Sequence, residues 1–148
     1  MVWNLQEDLI SGKEREYRVV KYLNENIYMD DKLNIYKDDK KQVDFRNSEI
    51  IGELKSRFNK YDKYDTTFFG YNKLKYLEGL ENEDRVWKFY FLFTDGLYVW
   101  TYNKDQYTVE SYDHRERGYI PQVYIPIKYL ECLTKKYNSL NIINQISI

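Results

Sequence analysis

The sequence predicts an α/β domain with a mixed central β-sheet flanked by helices, and three observations carry that reading. First, Val43–Phe45 and Ile50–Lys55 are apolar runs on either side of the polar Arg46–Glu49. The Asn47-Ser48 pair in that gap favours a turn, so the two runs read as a hairpin. Second, Ile50–Lys55, the helical periodicity of Tyr71–Leu80 and the aromatic run Val86–Phe93 make strand, helix and strand. That order implies parallel pairing through a right-handed crossover. Third, the stretch after Ser11 carries Tyr17, Val19, Val20 and Leu23 at helical spacing. At 148 residues, 1–148 reads as one domain able to bury its own core.

Met1–Ile10 mixes Trp3, Leu5, Leu9 and Ile10 with acids and reads as a short helix or an ordered arm. Ser11-Gly12-Lys13-Glu14 fits a capping box, so a helix is expected to start there and end near Asn24–Asn26. Glu16 falls three residues before Val19 and four before Val20. That puts its carboxylate beside the apolar stripe, either at the edge of the core or aimed at a site. Leu33–Lys37 reads as a strand bracketed by Asp30-Asp31 and Asp38-Asp39, which are turn formers before they are metal ligands.

Phe58–Gly70 is too polar and irregular to predict an element, with Thr66 and Thr67 placed to cap the next helix or touch a phosphate. Val86–Phe93 is apolar on both faces and so belongs at the centre of a sheet. Asp95-Gly96 signals a type I′ hairpin returning through Leu97–Tyr102. Tyr107–Tyr112 is a further strand candidate, followed by the charged loop Asp113–Gly118. That loop holds His114, the only histidine, which reads as a surface residue before a base. Tyr119–Ile125 contains Pro121 and is expected at a sheet edge. Pro126 suits the first turn of a helix bearing Ile127, Leu130 and Leu133. Ser139–Ile148 is an apolar tail, suited to an added strand or a partner contact.

The chemistry concentrates in the hairpin. Alternation along a strand puts Ile51, Glu53, Lys55 and Arg57 on one face, and Ile50, Gly52, Leu54 and Ser56 on the other. Glu53 and Lys55 then lie about 7 Å apart along the strand. A hairpin would carry Asp44 back beside Glu53. Two carboxylates suit a hard cation such as Mg²⁺, which keeps several waters and takes one or two protein carboxylates. A neighbouring ammonium can orient a metal-bound water and offset transition-state charge. The same residues equally describe an exposed sheet face with an ordinary Glu/Lys pair. Beyond it, Arg57, Lys60 and Lys63 interleave with Tyr61 and Tyr64, a pattern that suits phosphates and bases or a solvated loop. Arg115 and Arg117 are further candidate phosphate contacts.

Asp44, eight residues, then Glu53-Leu54-Lys55 resembles the D…(D/E)-x-K core of the PD-(D/E)XK nuclease superfamily. Restriction endonucleases, phage exonucleases and archaeal Holliday junction resolvases belong to it. The resemblance spans about residues 10–100, including a preceding helix and the crossover helix and strand that follow. Gly12, Glu16, Val19, Tyr22 and Leu23 resemble the Glu-bearing helix pattern of the resolvases. Val43 stands where the motif's proline would be. The resemblance implies a restriction-endonuclease-like fold and a Mg²⁺- or Mn²⁺-dependent DNA endonuclease. It assigns Asp44, Glu53 and the Leu54 carbonyl to the metal, Lys55 to the attacking water, and Glu16 to completing the metal or water shell. It also implies DNA as partner and a homodimer with one site per strand. The competing readings are a catalytically inactive DNA- or protein-binding module of viral origin, or a structural protein that assembles through its Tyr-rich sheet and apolar tail.

Composition narrows the classes. The 23 basic and 24 acidic side chains leave a net charge of −1, so no global basic field advertises nucleic acid, although a local groove is compatible. The single cysteine, Cys132, can form no internal disulfide and suits a reducing compartment. No signal-peptide pattern opens the chain, and no apolar stretch reaches the ~20 residues that span a bilayer. The expectation is a soluble cytoplasmic protein, in host cytoplasm if its source is a phage or virus. Seventeen tyrosines and no alanine suggest AT-rich codons rather than an activity. No Gly-rich phosphate loop, zinc spacing, Ser/His triad pattern or internal repeat is present.

Overall fold

A computed structural model describes residues 5–36 and 43–144. Helix α1 (Leu5–Asn26) is followed by the short strands β1 (Asn34–Ile35) and β2 (Phe45–Arg46), and by β3 (Ile50–Ser56). β4 (Thr66–Gly70) runs directly into α2 (Tyr71–Glu78), which leads to β5 (Val86–Phe93) and β6 (Gly96–Thr101). β7 (Thr108–His114), β8 (Gly118–Pro126) and β9 (Glu131–Thr134) complete the strands. Six of them form one sheet in the order β1-β2-β3-β5-β6-β9, and three form a second in the order β4-β8-β7. β3 and β5 are parallel, with Ile51 opposite Trp87 and Lys55 opposite Phe91, and every other pairing is antiparallel. The mixed sheet and its parallel crossover are therefore as the sequence implies.

Two apolar layers hold the large sheet. On one face Val19, Val20 and Leu23 of α1 pack with Phe45, Ile50, Tyr90, Leu92, Val99 and Ile142. On the other, Ile51, Phe89, Phe91 and Trp100 pack with Leu74 and Leu77 of α2 and with Phe69, Val123 and Ile125 of the second sheet. The second flank is thus a helix together with a sheet, where helices alone were expected. Phe69 stacks on Phe89 at 4.2 Å between ring centres, so aromatic geometry as well as area fixes how the sheets meet.

Several local expectations give way to longer-range pairing. α1 runs through Ser11 and Gly12 without a break, so the helix does not start at Ser11, and Glu14 pairs with Arg18 at 2.8 Å. No proline interrupts Leu5–Ile10, and one interior glycine costs only about 1 kcal/mol. Thr66–Gly70, expected to be irregular, is a strand because Thr67 and Phe69 are buried while Thr66 and Phe68 are exposed. Threonine and phenylalanine both favour that half-buried pleat. β8 is the middle strand of its sheet rather than an edge. Pro121 is accommodated because it lies beyond Gln122, the last residue paired with β4, where only β7 is alongside.

Pro126 opens a 3₁₀ turn, Ile127–Tyr129, and not a helix, since Leu130 is extended and the chain pairs with β6 as β9. The β5–β6 turn is Thr94-Asp95, with Phe93 opposite Gly96, one residue earlier than the Asp95-Gly96 signal suggests. Gly96 has φ +154°, and a Cβ there would stand 2.7 Å from the Thr134 carbonyl oxygen, so its glycine serves the approach of β9. The tail forms a 3₁₀ turn at Ile142–Asn144 against α1 rather than a strand. Met1–Asn4, Lys37, the Asp38-Asp39 pair and residues 145–148 lie outside the described residues. Asp30-Asp31 forms a turn as expected, and Asp31 binds the backbone N–H and hydroxyl of Ser48 in the β2–β3 turn. Among the described residues no helix is long and apolar enough to cross a membrane.

Candidate functional site

The β2–β3 hairpin begins from Asn47, whose side-chain oxygen accepts the N–H groups of Glu49 and Ile50 at 2.9 and 2.8 Å. Phe45 then pairs with Gly52, and Asp44 donates its N–H to the Gly52 carbonyl at 3.0 Å. β2 ends there. Beyond it the Asp44 carboxylate takes over the ladder, with Oδ2 accepting the Leu54 N–H at 2.8 Å. A strand residue presents its N–H and its C=O to the same edge, so the Leu54 carbonyl faces that edge too. Only glycine fits at 52, because a Cβ would overlap the Phe45 ring.

Glu53 is 3% exposed and lies on the same face as Ile51. Its Oε1 is 3.3 Å from Lys55 Nζ and 3.3 Å from Lys73 Nζ. Lys73 belongs to α2, whose Leu74 and Leu77 anchor it over that face. Sequence reasoning missed Lys73. Its signal was the single lysine in the first turn of the crossover helix, and only packing against β3 gave it a partner. Glu53 Oε2 is buried and has no hydrogen-bond partner among the described residues.

From α1, Glu16 reaches the same place and hydrogen-bonds Asp44. Burial, then the charges of Asp44 and Glu53, push the Glu16 carboxyl up to about 8. Burial and the Asp44 charge push Glu53 up to about 7, with Lys55 and Lys73 pulling the other way. Burial also raises Asp44, opposed first by the Leu54 N–H and then by the two lysines. The hydrogen bond between them raises Glu16 and lowers Asp44, so the shared proton sits on Glu16 and is donated to Asp44. Asp44, Glu53 and Lys55 are brought together as the hairpin reading expected, and Glu16, which the helix pattern left between the core edge and a site, joins them.

The donor set suits a hard cation: an unpartnered carboxylate oxygen on Glu53, the Asp44 carboxylate and a strand carbonyl. Among the described residues no three His, Cys, Asp or Glu side chains already stand as a ring of ligands. Mg²⁺ does not require one, since one or two carboxylates plus waters suffice.

The raised carboxyls have a consequence for stability. Between 4.5 and their folded values, the folded state binds more protons than the unfolded, so stability falls as pH rises. The contribution is complete below about pH 4.5 and is lost through about pH 7 to 8. In metal-free melts the stabilising effect of Glu16→Gln is expected to grow from about pH 5 to about pH 8. A pH-independent difference between variant and parent would refute the assignment.

The candidate nucleic-acid contacts divide. Arg57 lines a cleft of about 250 Å³ with Gly12, Arg15, Glu16, Lys55 and Phe58. It is held there by donating to the Phe68 and Ser56 carbonyls. Lys60 and Lys63 are exposed on the following loop, and Lys63 lies over Tyr64 at 5.4 Å. Tyr61 stacks on Tyr98 at 4.6 Å and packs against the core rather than offering a free face. Arg115 and Arg117 lie in the β7–β8 turn and do not line the cleft. His114 accepts the N–H groups of Glu116 and Arg117 and so shapes that turn. The chain matches no protein-family model and no curated protein.

Proposed function

We propose that this protein is a divalent-metal-dependent DNA endonuclease of the PD-(D/E)XK type. The observation that carries the reading is the convergence of Asp44, Glu53 and Lys55 on one edge of β3, with Glu16 closing it from α1. Asp44, Glu53 and the Leu54 carbonyl would hold Mg²⁺ or Mn²⁺, with Glu16 able to join on losing its proton. The bound ion supplies charge stabilisation and a more acidic water. Lys55 holds positive charge beside the reacting phosphate and orients the attacking water. Lys73 keeps Glu53 fixed in its buried position. The proton shared by Glu16 and Asp44 would have to leave for both carboxylates to hold an ion, so metal binding would release protons.

The test is a panel of duplex, branched and single-stranded DNA incubated with Mg²⁺, Mn²⁺ or Ca²⁺. Cleavage in Mg²⁺ or Mn²⁺ is expected, and no cleavage of any form with any ion ends the reading. One observation favours the inactive binding module instead: Glu53 is already balanced by two lysines, and Glu16 with Asp44 share a proton, which is also how a purely structural cluster is neutralised. Metal titration separates the two, because an ion that binds the folded state raises the melting temperature by mass action.

A local groove in a near-neutral protein implies modest, salt-sensitive DNA affinity. Three phosphate contacts, at Arg57, Lys60 and Lys63, give a slope of about −3 in log affinity against log salt. Charge reversal of the exposed Lys60 and Lys63 is expected to flatten it by about 2. An unchanged slope would move the contacts elsewhere, with Arg115 and Arg117 next to be tested.

A further inference from the structure

The cleft beside Glu16 and Lys55 has a second property, which the metal chemistry does not use. Arg15 lies over the Phe58 ring at 5.0 Å, and Arg57 lies over the Phe68 ring at 4.9 Å. Both guanidinium groups belong to residues that line the cleft, and so does Phe58. The Nε atoms of Arg15 and Arg57 are buried without a hydrogen-bond partner among the described residues. Even with Arg15 over it, Phe58 is 62% exposed, and Phe68 is 40% exposed. A ring as exposed as Phe58, beside cations and lining a cleft, is not explained by packing.

We infer that this cleft takes an unpaired stretch of DNA, with a base against Phe58 and the adjoining phosphates on Arg15, Arg57 and Lys55. The inference rests on the nuclease reading for the position of the chemistry, and it adds the substrate class. Base faces are open to an aromatic side chain only where the stack is broken, so such a platform selects a single strand, a splayed end or a branch point. Two guanidinium groups and an ammonium supply the backbone contacts, and each guanidinium holds its ring in place by cation–π attraction. A continuous duplex would instead call for a broad positive surface, and a chain of net charge −1 does not provide one globally. Phe58 lies immediately after Arg57 at the end of β3. A base held there is two residues along the chain from Ser56 and three from Lys55, which places its phosphate near the acids.

The experiment measures binding without chemistry. Fluorescence anisotropy in Ca²⁺ compares a labelled single strand, a splayed-arm duplex and a blunt duplex of the same sequence. The single strand and the splayed duplex are expected to bind at least about tenfold tighter than the blunt duplex, since stacking of one base is worth about that factor or more. Phe58→Ala and Phe58→Leu are expected to remove most of that preference, and Phe58→Trp to keep it. The leucine variant separates stacking from simple apolar contact. Truncation at an exposed ring spares the core, and thermal melts of each variant check that. Equal affinity for all three DNA forms, no binding to any of them, or an unchanged preference in Phe58→Ala each overturn the inference. Preference without cleavage in Mg²⁺ or Mn²⁺ would sustain it while ending the nuclease reading. Cleavage without preference would do the reverse.

Discussion

Lys55→Ala is expected to bind divalent metal as the parent does and DNA more weakly by one phosphate contact, yet to cut bound DNA about 10²- to 10⁴-fold more slowly, the usual cost of losing a positioned acid–base group. In the proposed mechanism the ammonium acts on the water and on transition-state charge, and it does not hold the ion. Asp44→Asn is expected to weaken metal binding and cleavage together, because it removes one of few charged ligands. Glu53 demands a conservative change: it is 3% exposed between two lysines, so alanine would leave both ammonium groups facing a void. Glu53→Gln keeps the volume and is expected to lose metal binding and cleavage while remaining folded. Glu16→Gln should fall between, with activity better retained in Mn²⁺. Lys73→Met tests the helix residue that packing alone brought to the site, with a smaller loss than Lys55→Ala, since Lys55 still pairs with Glu53. If Lys55→Ala cuts as fast as the parent, the lysine is only half of a charged pair.

The other large effect is on the frame that carries the site. Phe45 is fully buried between α1 and the sheet, and it covers Gly52 in the register that delivers Asp44. Phe45→Ala is expected to cost about 3–5 kcal/mol through lost burial and the cavity left behind. Gly52→Ala inserts a methyl group into the same ring and is expected to cost about 1–3 kcal/mol by overpacking. Joined with Phe45→Leu, Gly52→Ala should cost less than the sum of the two single changes, because the smaller side chain makes room for the methyl. Urea denaturation followed by tryptophan fluorescence measures all four variants, Phe45→Leu alone included. Strict additivity would mean that the Phe45–Gly52 contact does not set the hairpin register.

The sequence by itself determined the elements whose signals are local. The turn at Asn47-Ser48, the β-branched start of β3, the helix from Tyr71 and the aromatic run Val86–Phe93 each carry their own periodicity or turn chemistry. The order strand, helix, strand then dictates parallel pairing of β3 with β5. Because alternation along a strand is geometric, Glu53 and Lys55 had to share a face, and a hairpin had to return Asp44 beside them. Tertiary structure decided whatever depends on a partner distant in the chain. Thr66–Phe69 became a strand because β8 was there to pair with it, and residues after Pro126 left the helical pattern because the edge of β6 offered a ladder. Lys73 acquired its partner Glu53 only when α2 settled over β3, and Glu16 its partner Asp44 only when α1 packed against the sheet. Burial, which no local pattern encodes, turned these ordinary acids into groups that titrate near neutrality, since removing water penalises a charge that its neighbours only partly offset.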